Sequence, residues 1–195
     1  MTVTFQKTEE PEAEFPFGDV MEDMACYEDV LYVWQQGIMI GMSDTEFGPE
    51  LSLSRSMIVT VLYRLEGEPE TEYKGAFSDV PAGKWYTAAV EWAAASGIVL
   101  GYGDGTYGRT DDVTREQLAA ILYRYAVMKG WAVQTAALEA PDGDAVSDWA
   151  SEAVAWAVAN GILAADEDGS IRPGEAANRA EIAKAIRAFL EKVAE

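Results

Sequence analysis

The chain has 195 residues, of which 34 are acidic and only 14 are basic, so it carries a net charge of −20. This charge repels nucleic acid and anionic lipid, and no apolar run approaches the roughly 18 residues that span a bilayer, so we expect neither nucleic-acid binding nor membrane insertion. Histidine is absent and Cys26 is the single cysteine, which removes the commonest general base, imidazole-dependent zinc sites and any disulfide within the chain.

The chain is built from three copies of one unit. It opens with an acidic stretch, residues 1–15, which has little periodicity and is predicted to be flexible. Residues 17–66 recur at 77–126 with a constant offset of 60, and a third copy follows from Trp85 onward at an offset of 64. Units this short cannot bury their apolar faces alone, so the copies must stack and leave grooves between them. We assign three modules and two linkers: modules 16–66, 77–129 and 146–195, and linkers 67–76 and 130–145.

Each module is predicted to contain two helices on either side of a glycine-rich loop, which makes the fold all-α. The first helix ends at a glycine in every copy, and Asp148 is a natural N-cap for the third example. First helices are expected at about 24–36, 85–96 and 149–160. Apolar residues at i, i+3, i+4 and i+7 indicate a second helix buried on one face. Second helices are expected at about 54–66, 114–129 and 178–192.

The loop between the two helices carries one apolar residue and an aspartate in each copy. The apolar residue is expected to pack onto the core, and it is Phe47, Tyr107 or Ile171. The aspartates Asp44, Asp104 and Asp168 could in principle bind calcium. However, residues 166–169 lack the alternating oxygen ligands of a calcium loop. We therefore interpret the aspartates as turn-forming and expect no metal site.

An arginine recurs in the first turn of every second helix, as Arg55, Arg115 and Arg179. The residues before it are good N-caps, but capping does not explain the arginine, because a positive charge there opposes the helix dipole. Two interpretations stay open. The guanidinium and free backbone N–H groups could hold an anion at the helix N-terminus, or the arginine could pair with an acid of the neighbouring module.

Aromatic residues recur at two positions of the first helix. Tyr32, Trp92 and Trp156 are equivalent, and we interpret them as core anchors in preference to a stacking platform for sugars. Trp85 and Trp149 stand at the start of the helix. These two are expected to be exposed and close to a groove.

Copy two carries a series of short motifs that resembles the S-layer homology domain. The motifs are Phe-Ser-Asp-Val at 77–80, Ala-Val-Glu-Trp-Ala at 89–93, Gly-Ile-Val at 97–99, Asp-Gly-Thr-Tyr at 104–107 and Val-Thr-Arg-Glu-Gln-Leu-Ala at 113–119. With all three copies, the resemblance covers about residues 17–192. It implies a pseudo-threefold bundle whose grooves bind secondary cell-wall polysaccharide, often with pyruvylated amino sugars. It also implies a secreted, cell-surface protein whose export signal is absent from this chain.

By this resemblance, three arginines would meet the ligand carboxylate, and two glycines would let the backbone approach the sugar. The candidate ligand-binding residues are Arg55, Arg115, Arg179, Gly41, Gly101, Thr114, Trp85, Trp149 and Asp104. No cofactor is expected. An enzyme is not expected either, since no nucleophile motif or phosphate loop is present and threefold repetition is unusual for catalytic sites.

The copies depart from the family pattern, so the grooves are expected to be unequal. Met57 stands where the pattern has Glu, Ala25 stands where copy two has Trp85, and Ala165 replaces a glycine in copy three. We predict the strongest binding at the Arg115 groove and the weakest at the Arg179 groove, because of Ala165. The first alternative is a protein-interaction module that self-associates into a surface array, and the second is a fragment of a glycan hydrolase.

Overall fold

The computed structural model describes residues 14–192, so the predicted flexible stretch 1–15 lies outside the described residues except for Glu14 and Phe15. Residues 14–192 form six α-helices: α1 Tyr27–Gln35, α2 Arg55–Leu65, α3 Thr87–Ala95, α4 Arg115–Lys129, α5 Ser151–Ala159 and α6 Arg179–Lys192. Within residues 14–192 extended pairing is limited to isolated bridges, which confirms the all-α class. In this same part of the chain, none of the helices combines the length and the hydrophobicity needed to cross a membrane.

The first helices begin later than the sequence predicts. Asp148 was expected to cap α5, but it opens a 3₁₀ helix, Asp148–Ala150, and the N-cap of α5 is Ala150 without a side-chain cap bond. In the preceding turn the Ala150 amide donates a hydrogen bond to the Ser147 carbonyl at 2.9 Å. The helix therefore starts without a cap from the Asp148 side chain. The ends agree with the prediction, because each first helix stops at a left-handed glycine: Gly37 (φ 67°), Gly97 (φ 71°) and Gly161 (φ 65°).

The three modules close into a ring around one core. The second helix of each module packs against the first helix of the next: α2 on α3, α4 on α5, and α6 back on α1. The segments that precede the second helices meet in antiparallel bridges: Ser52 with Asn178, Ser54 with Asp112 and Thr114 with Ala176. This circular packing is the predicted pseudo-threefold bundle.

The loop residues expected to pack inward are fully buried. Phe47, Tyr107 and Ile171 are each 0% exposed. Trp156 is also 0% exposed and packs edge-on against Tyr123 and Phe189, at centroid distances of 5.5 and 6.2 Å. The equivalent residues Tyr32 and Trp92 are partly buried and pack against the same core. These aromatic residues therefore stabilise the bundle, as predicted.

One aspartate per module fixes the loop that will form each groove. Asp19 accepts hydrogen bonds from the backbone N–H of Phe47 (2.8 Å) and Gly48 (2.7 Å). In the other modules the same bonds are Tyr107 N–H to Asp79 at 2.7 Å and Ile171 N–H to Asp142 at 2.9 Å. Asp142 lies inside the segment expected to be a linker, so the repeated architecture of the third module begins upstream of residue 146.

Phe15 and the linker 67–76 both contact the bundle. The Phe15 ring packs against Phe17 and Tyr27, with centroids 5.3 and 5.2 Å apart. The linker 67–76 is fixed by the buried Glu91 carboxylate, which accepts a hydrogen bond from the Gly75 N–H at 2.9 Å. Buried acceptors of this kind need such donors, so the linker backbone is part of the folded unit.

Candidate functional site

Each recurring arginine reaches into the loop of the next module around the ring. Arg55 Nε donates to the Tyr107 carbonyl (2.9 Å), Arg115 Nε to that of Ile171 (2.7 Å) and Arg179 Nε to that of Phe47 (2.7 Å). The three arginines are 6%, 3% and 6% exposed in that order. The docking of second helices onto neighbouring loops therefore accounts for an arginine in a position that the helix dipole disfavours.

Of the two interpretations left open by the sequence, an anion at the helix N-terminus is not supported at α4 and α6, where the first backbone amides donate hydrogen bonds within the ring. In α4 the amides of Arg115 and Glu116 donate to the carbonyls of Glu175 and Pro173, each at 2.9 Å. In α6 the Arg179 amide donates to Leu51 O at 2.8 Å. At α2 the Arg55 amide likewise donates to the Asp111 carbonyl at 2.9 Å, so the ring uses the first amide of all three second helices.

The Arg55 groove is a cleft of about 430 Å³ between modules one, two and three. Arg55 stands at its base, Gly101 and Tyr102 come from the loop of module two, and Arg124 comes from α4. The lining also includes Gln117 and Trp149. Trp149 is 54% exposed, as predicted for a residue beside a groove.

Two guanidinium groups face this cleft. The Arg55 guanidinium lies 4.7 Å from the ring centroids of Tyr102 and Tyr107, and its hydrogen bond to the protein uses Nε alone among residues 14–192. Neither Arg55 nor Arg124 makes an ion pair within that range. Burial lowers the pKa of Arg124, and the charge of Arg55 lowers it further. The cleft is thus locally cationic in a strongly acidic protein.

The Arg179 groove has the same plan and a volume of about 360 Å³. It is lined by Gly41 and Met42 from the loop of module one, by Arg64 of α2, and by Trp85, which is 62% exposed. Arg179 Nη2 donates to the Ile40 carbonyl at 2.6 Å, and its guanidinium lies 4.3 Å from the Phe47 ring. Burial lowers the pKa of Arg179.

The Arg115 groove is smaller, about 190 Å³, and its arginine is fully engaged. Arg115 Nη1 pairs with Glu181 at 2.5 Å, and Nη2 donates to the Ala164 carbonyl. Ala165 lines this groove. The pairing assumed from the sequence is therefore wrong: Ala165 belongs with Arg115 and not with Arg179, and Gly101 belongs with Arg55.

The loop glycines are explained by packing underneath the loop. A Cβ on Gly101 would lie 2.6 Å from Cε1 of Phe77, and one on Gly41 would lie 2.4 Å from Cε1 of Phe17. In module three, Ala140 takes the place of Phe17 and Phe77, so no aromatic ring lies beneath the loop. The space left by the ring accommodates the methyl group of Ala165, which takes the place of the loop glycine. The glycines line the grooves, while a contact with sugar stays a prediction.

Two candidates from the sequence lie away from the grooves. Thr114 caps α4, where its Oγ1 accepts a hydrogen bond from the Gln117 amide at 3.3 Å. Asp104 accepts hydrogen bonds from Thr106 N–H at 2.9 Å and from its hydroxyl at 2.6 Å, within an exposed turn. Across residues 14–192, no cluster of three or more potential metal ligands is found.

The second arginine of each cleft was missed from the sequence. Arg64 and Arg124 belong to the Leu-Tyr-Arg triplet that copies one and two share, whereas the equivalent residue in copy three is Ala188. The sequence carried one signal for these residues, which is that an arginine recurs at this position in two copies of a strongly acidic chain. Only the folded ring shows that each of these arginines faces the recurring arginine of another module.

A family model for the S-layer homology domain matches residues 16–56, 76–119 and 141–183. The chain is 34% identical over 98% of its length to an amylopullulanase of Thermoanaerobacterium thermosulfurigenes, and 34% identical over 90% to an exoglucanase of Acetivibrio thermocellus. It is 25% identical over 75% of its length to a cellulosome-anchoring protein of Acetivibrio thermocellus. The matches span 10%, 16% and 34% of those proteins. The chain therefore belongs to the S-layer homology family, as three tandem binding domains of the type that attaches proteins to the cell surface.

Proposed function

We propose that the chain binds an acidic secondary cell-wall polysaccharide non-covalently through the Arg55 groove, and so anchors a protein at the bacterial surface. The observation that supports this most is the pair of guanidinium groups, Arg55 and Arg124, which face one cleft without an ion-pair partner among the described residues. A carboxylate on the glycan, such as that of a pyruvylated amino sugar, would supply the missing counter-charge through charge-assisted hydrogen bonds.

The walls of the cleft suit a sugar ring. Trp149 and Leu100 are 54% and 66% exposed, and Tyr102 is 48% exposed. Exposed apolar side chains that lie together in one cleft often mark a binding site, and aromatic faces pack well against the C–H groups of carbohydrate. The ligand is thus expected to combine one acidic group with an apolar face.

The overall charge of −20 opposes the approach of an acidic polymer. This repulsion is screened beyond about 10 Å at 0.1 M salt, whereas a partly buried guanidinium is screened much less. Each groove is therefore expected to bind with moderate affinity. Binding of one polymer at more than one groove would raise the apparent affinity of the whole chain.

The proposal is tested by binding to purified sacculi before and after removal of the non-peptidoglycan polymer. We expect retention of the chain on intact sacculi, loss on stripped sacculi, and weakened retention after mild acid removes pyruvyl ketals. Arg55→Ala should weaken retention about tenfold or more, since hydrogen bonds to charged groups contribute about 1.5–3 kcal/mol. Arg187→Ala, which removes a surface arginine far from the cleft, is the matched control.

Other outcomes would favour the alternatives. Equal retention on stripped sacculi would contradict glycan binding. Concentration-dependent self-association in sedimentation, lost in Arg55→Ala, would favour the assembly module, with an acidic side chain of another copy in the cleft. Release of reducing sugar from the polymer would favour the hydrolase.

A further inference from the structure

We infer that the two grooves with a rim tryptophan select different acidic sugars. The Arg179 groove fits a sugar that carries an apolar substituent, such as an ester-linked acyl group, and the Arg55 groove fits one that presents free hydroxyl groups. The inference rests on the proposed function and goes beyond it, because it concerns the group beside the acid and not the acid itself. It is supported by the loop rims, by the second helices and by the charges around the second arginines.

The loop rim of the Arg179 groove is an apolar pair. Met42 and Leu51 are 50% and 52% exposed. They lie side by side, since a Cβ on the glycine between them in the loop would stand 3.2 Å from Cγ of Met42 and 2.8 Å from Cδ1 of Leu51. The equivalent rim of the Arg55 groove is a polar pair, in which Tyr102 Oη donates a hydrogen bond to Asp111 Oδ2 at 2.9 Å. Equivalent loops thus present a thioether and an alkyl group in one groove, and a phenol and a carboxylate in the other.

The second helices continue this contrast. Met57 of α2 lines the Arg179 groove at the position where Gln117 of α4 lines the Arg55 groove. Thr60 also lines the Arg179 groove, but its hydroxyl already donates to the Ser56 carbonyl at 2.8 Å. In the Arg55 groove the Gln117 amide and the Tyr102 hydroxyl line the same cleft. A ligand hydroxyl therefore has neutral hydrogen-bonding partners in the Arg55 groove that methionines replace in the Arg179 groove.

The charges around the second arginines differ in the same direction. Arg64 Nε lies 4.0 Å from Oε1 of Glu68, four residues further along the chain. Met128 is equivalent to Glu68, so Arg124 has no acid at that position. In the Arg179 groove the recurring arginine also uses Nε and Nη2 on backbone carbonyls, at 2.7 and 2.6 Å, which leaves Nη1 as its donor to a ligand. The Arg179 groove is thus the less cationic and the more apolar of the two.

An apolar substituent on the sugar should therefore have opposite effects in the two grooves. Against Met42 and Met57 it removes apolar surface from water, which strengthens binding about fourfold per buried methyl group. Methionine suits this contact because its flexible side chain adapts to irregular shapes. Against Tyr102 and Gln117 the same substituent would displace water without replacing its hydrogen bonds, which weakens binding.

The experiment follows the indole N–H signals of Trp85 and Trp149 by NMR during a titration of the whole chain. Each of these tryptophans lines one of the two grooves, and Trp85→Phe and Trp149→Phe assign the signals. The two probes are the methyl glycoside of a pyruvylated N-acetylhexosamine with its remaining hydroxyl free, and the same compound with that hydroxyl acetylated. Acetylation should strengthen the binding reported by Trp85 about fourfold and weaken that reported by Trp149 about fivefold.

Exchange variants test the residues that set this preference while leaving the arginines in place. The double variant Met42→Tyr with Met57→Gln should make the Trp85 signal report a preference for the free hydroxyl. The reciprocal variant, Tyr102→Met with Gln117→Met, should reverse the preference that Trp149 reports. Where a double variant does not fold, its single substitutions are measured, and each should reduce the preference of its own groove.

The control is Met21→Gln, which changes an exposed methionine outside both grooves and should leave both preferences as in wild type. The same probe preferred equally at both tryptophans, or preferences that do not change in the exchange variants, would overturn this inference and leave the proposed function standing. Neither signal shifting with either probe would overturn both.

Discussion

The Arg55 and Arg115 grooves occupy equivalent places in the ring and differ in what their arginines do. Both arginines donate Nε to a carbonyl of the next loop, at 2.9 and 2.7 Å. Arg115 then uses its terminal nitrogens on Glu181 and Ala164, while those of Arg55 face a cleft that also holds Arg124. The recurring arginine thus makes one structural contact in all copies, whereas the partners of its terminal nitrogens depend on its surroundings.

The difference between Arg55 and Arg115 shows that the recurring arginine motif is not by itself a binding site. The same arginine motif closes the ring three times, but a ligand requires charge that the protein has left uncompensated. At Arg115 this charge is paired with Glu181, whereas Arg55 has no ion pair within residues 14–192. Variants that disturb ring closure at one groove and ligand binding at the other would separate the two contributions of the recurring arginine.

The largest effect is expected for Arg115→Ala on stability. The substitution removes a 3% exposed arginine with three partners and leaves Glu181 with only the longer contact to Arg172, at 3.2 Å. Breaking a buried ion pair in this way costs about 3–5 kcal/mol of unfolding free energy, which urea denaturation measures. Arg187→Ala, whose ion pairs are at the surface, should cost about 0–1 kcal/mol. Equal losses in the two variants would contradict the structural role of Arg115.

Gly101→Ala should give the next largest effect. Gly101 has a φ of 68°, and a Cβ there would lie 2.5 Å from the Thr106 carbonyl oxygen and 2.6 Å from Phe77. The left-handed conformation and the overpacking together should cost about 2–4 kcal/mol. The reverse change in module three, Ala165→Gly, should cost about 1 kcal/mol or less, which thermal unfolding can compare. A well-tolerated Gly101→Ala would show that this glycine is not needed for packing.

The sequence predicted the fold well because the helices are encoded locally. Helical periodicity, caps and glycine stops fix each element within its own module, so α2, α4 and α6 were placed within a residue or two. Asp142 was missed because its partners lie 29 and 30 residues away, and only the folded loop presents their N–H groups.

The site was predicted less well because it is assembled across modules. Sequence equivalence identifies Arg55 as a candidate but cannot show that it enters the loop of the following module. The reason given for the rank order of the grooves was wrong, because Ala165 lines the Arg115 groove and not the Arg179 groove. Arg124 was missed because it faces Arg55 only after α2 and the loop of module two have docked.

A smaller effect, on affinity alone, is expected for Arg124→Ala. Arg124 contributes a charge to the Arg55 groove and makes no hydrogen bond or ion pair within residues 14–192. Its loss should weaken glycan binding about tenfold, from one charge-assisted contact, with little change in melting temperature. Lys184→Ala, which removes a charge from the Arg115 groove, is the control and should leave the affinity unchanged. An unchanged affinity for Arg124→Ala would mean that one guanidinium suffices.

The smallest effect concerns the acid stability of the loop beneath the Arg115 groove. Hydrogen bonds from the Ile171 N–H and then the Arg172 N–H lower the pKa of Asp142, and the charge of Arg115 adds to this. A lowered folded-state pKa stabilises the protein above the unfolded value of about 3.9, and this stabilisation is lost as the pH falls from about 5 through the folded value. Asp142→Asn cannot titrate, so its deficit against wild type should be full at pH 7 and shrink towards pH 3 in thermal unfolding. Asp23→Asn removes the same charge from an exposed residue and is the control for the change in net charge. A constant deficit for Asp142→Asn would mean that the loop is held by shape and not by the carboxylate charge.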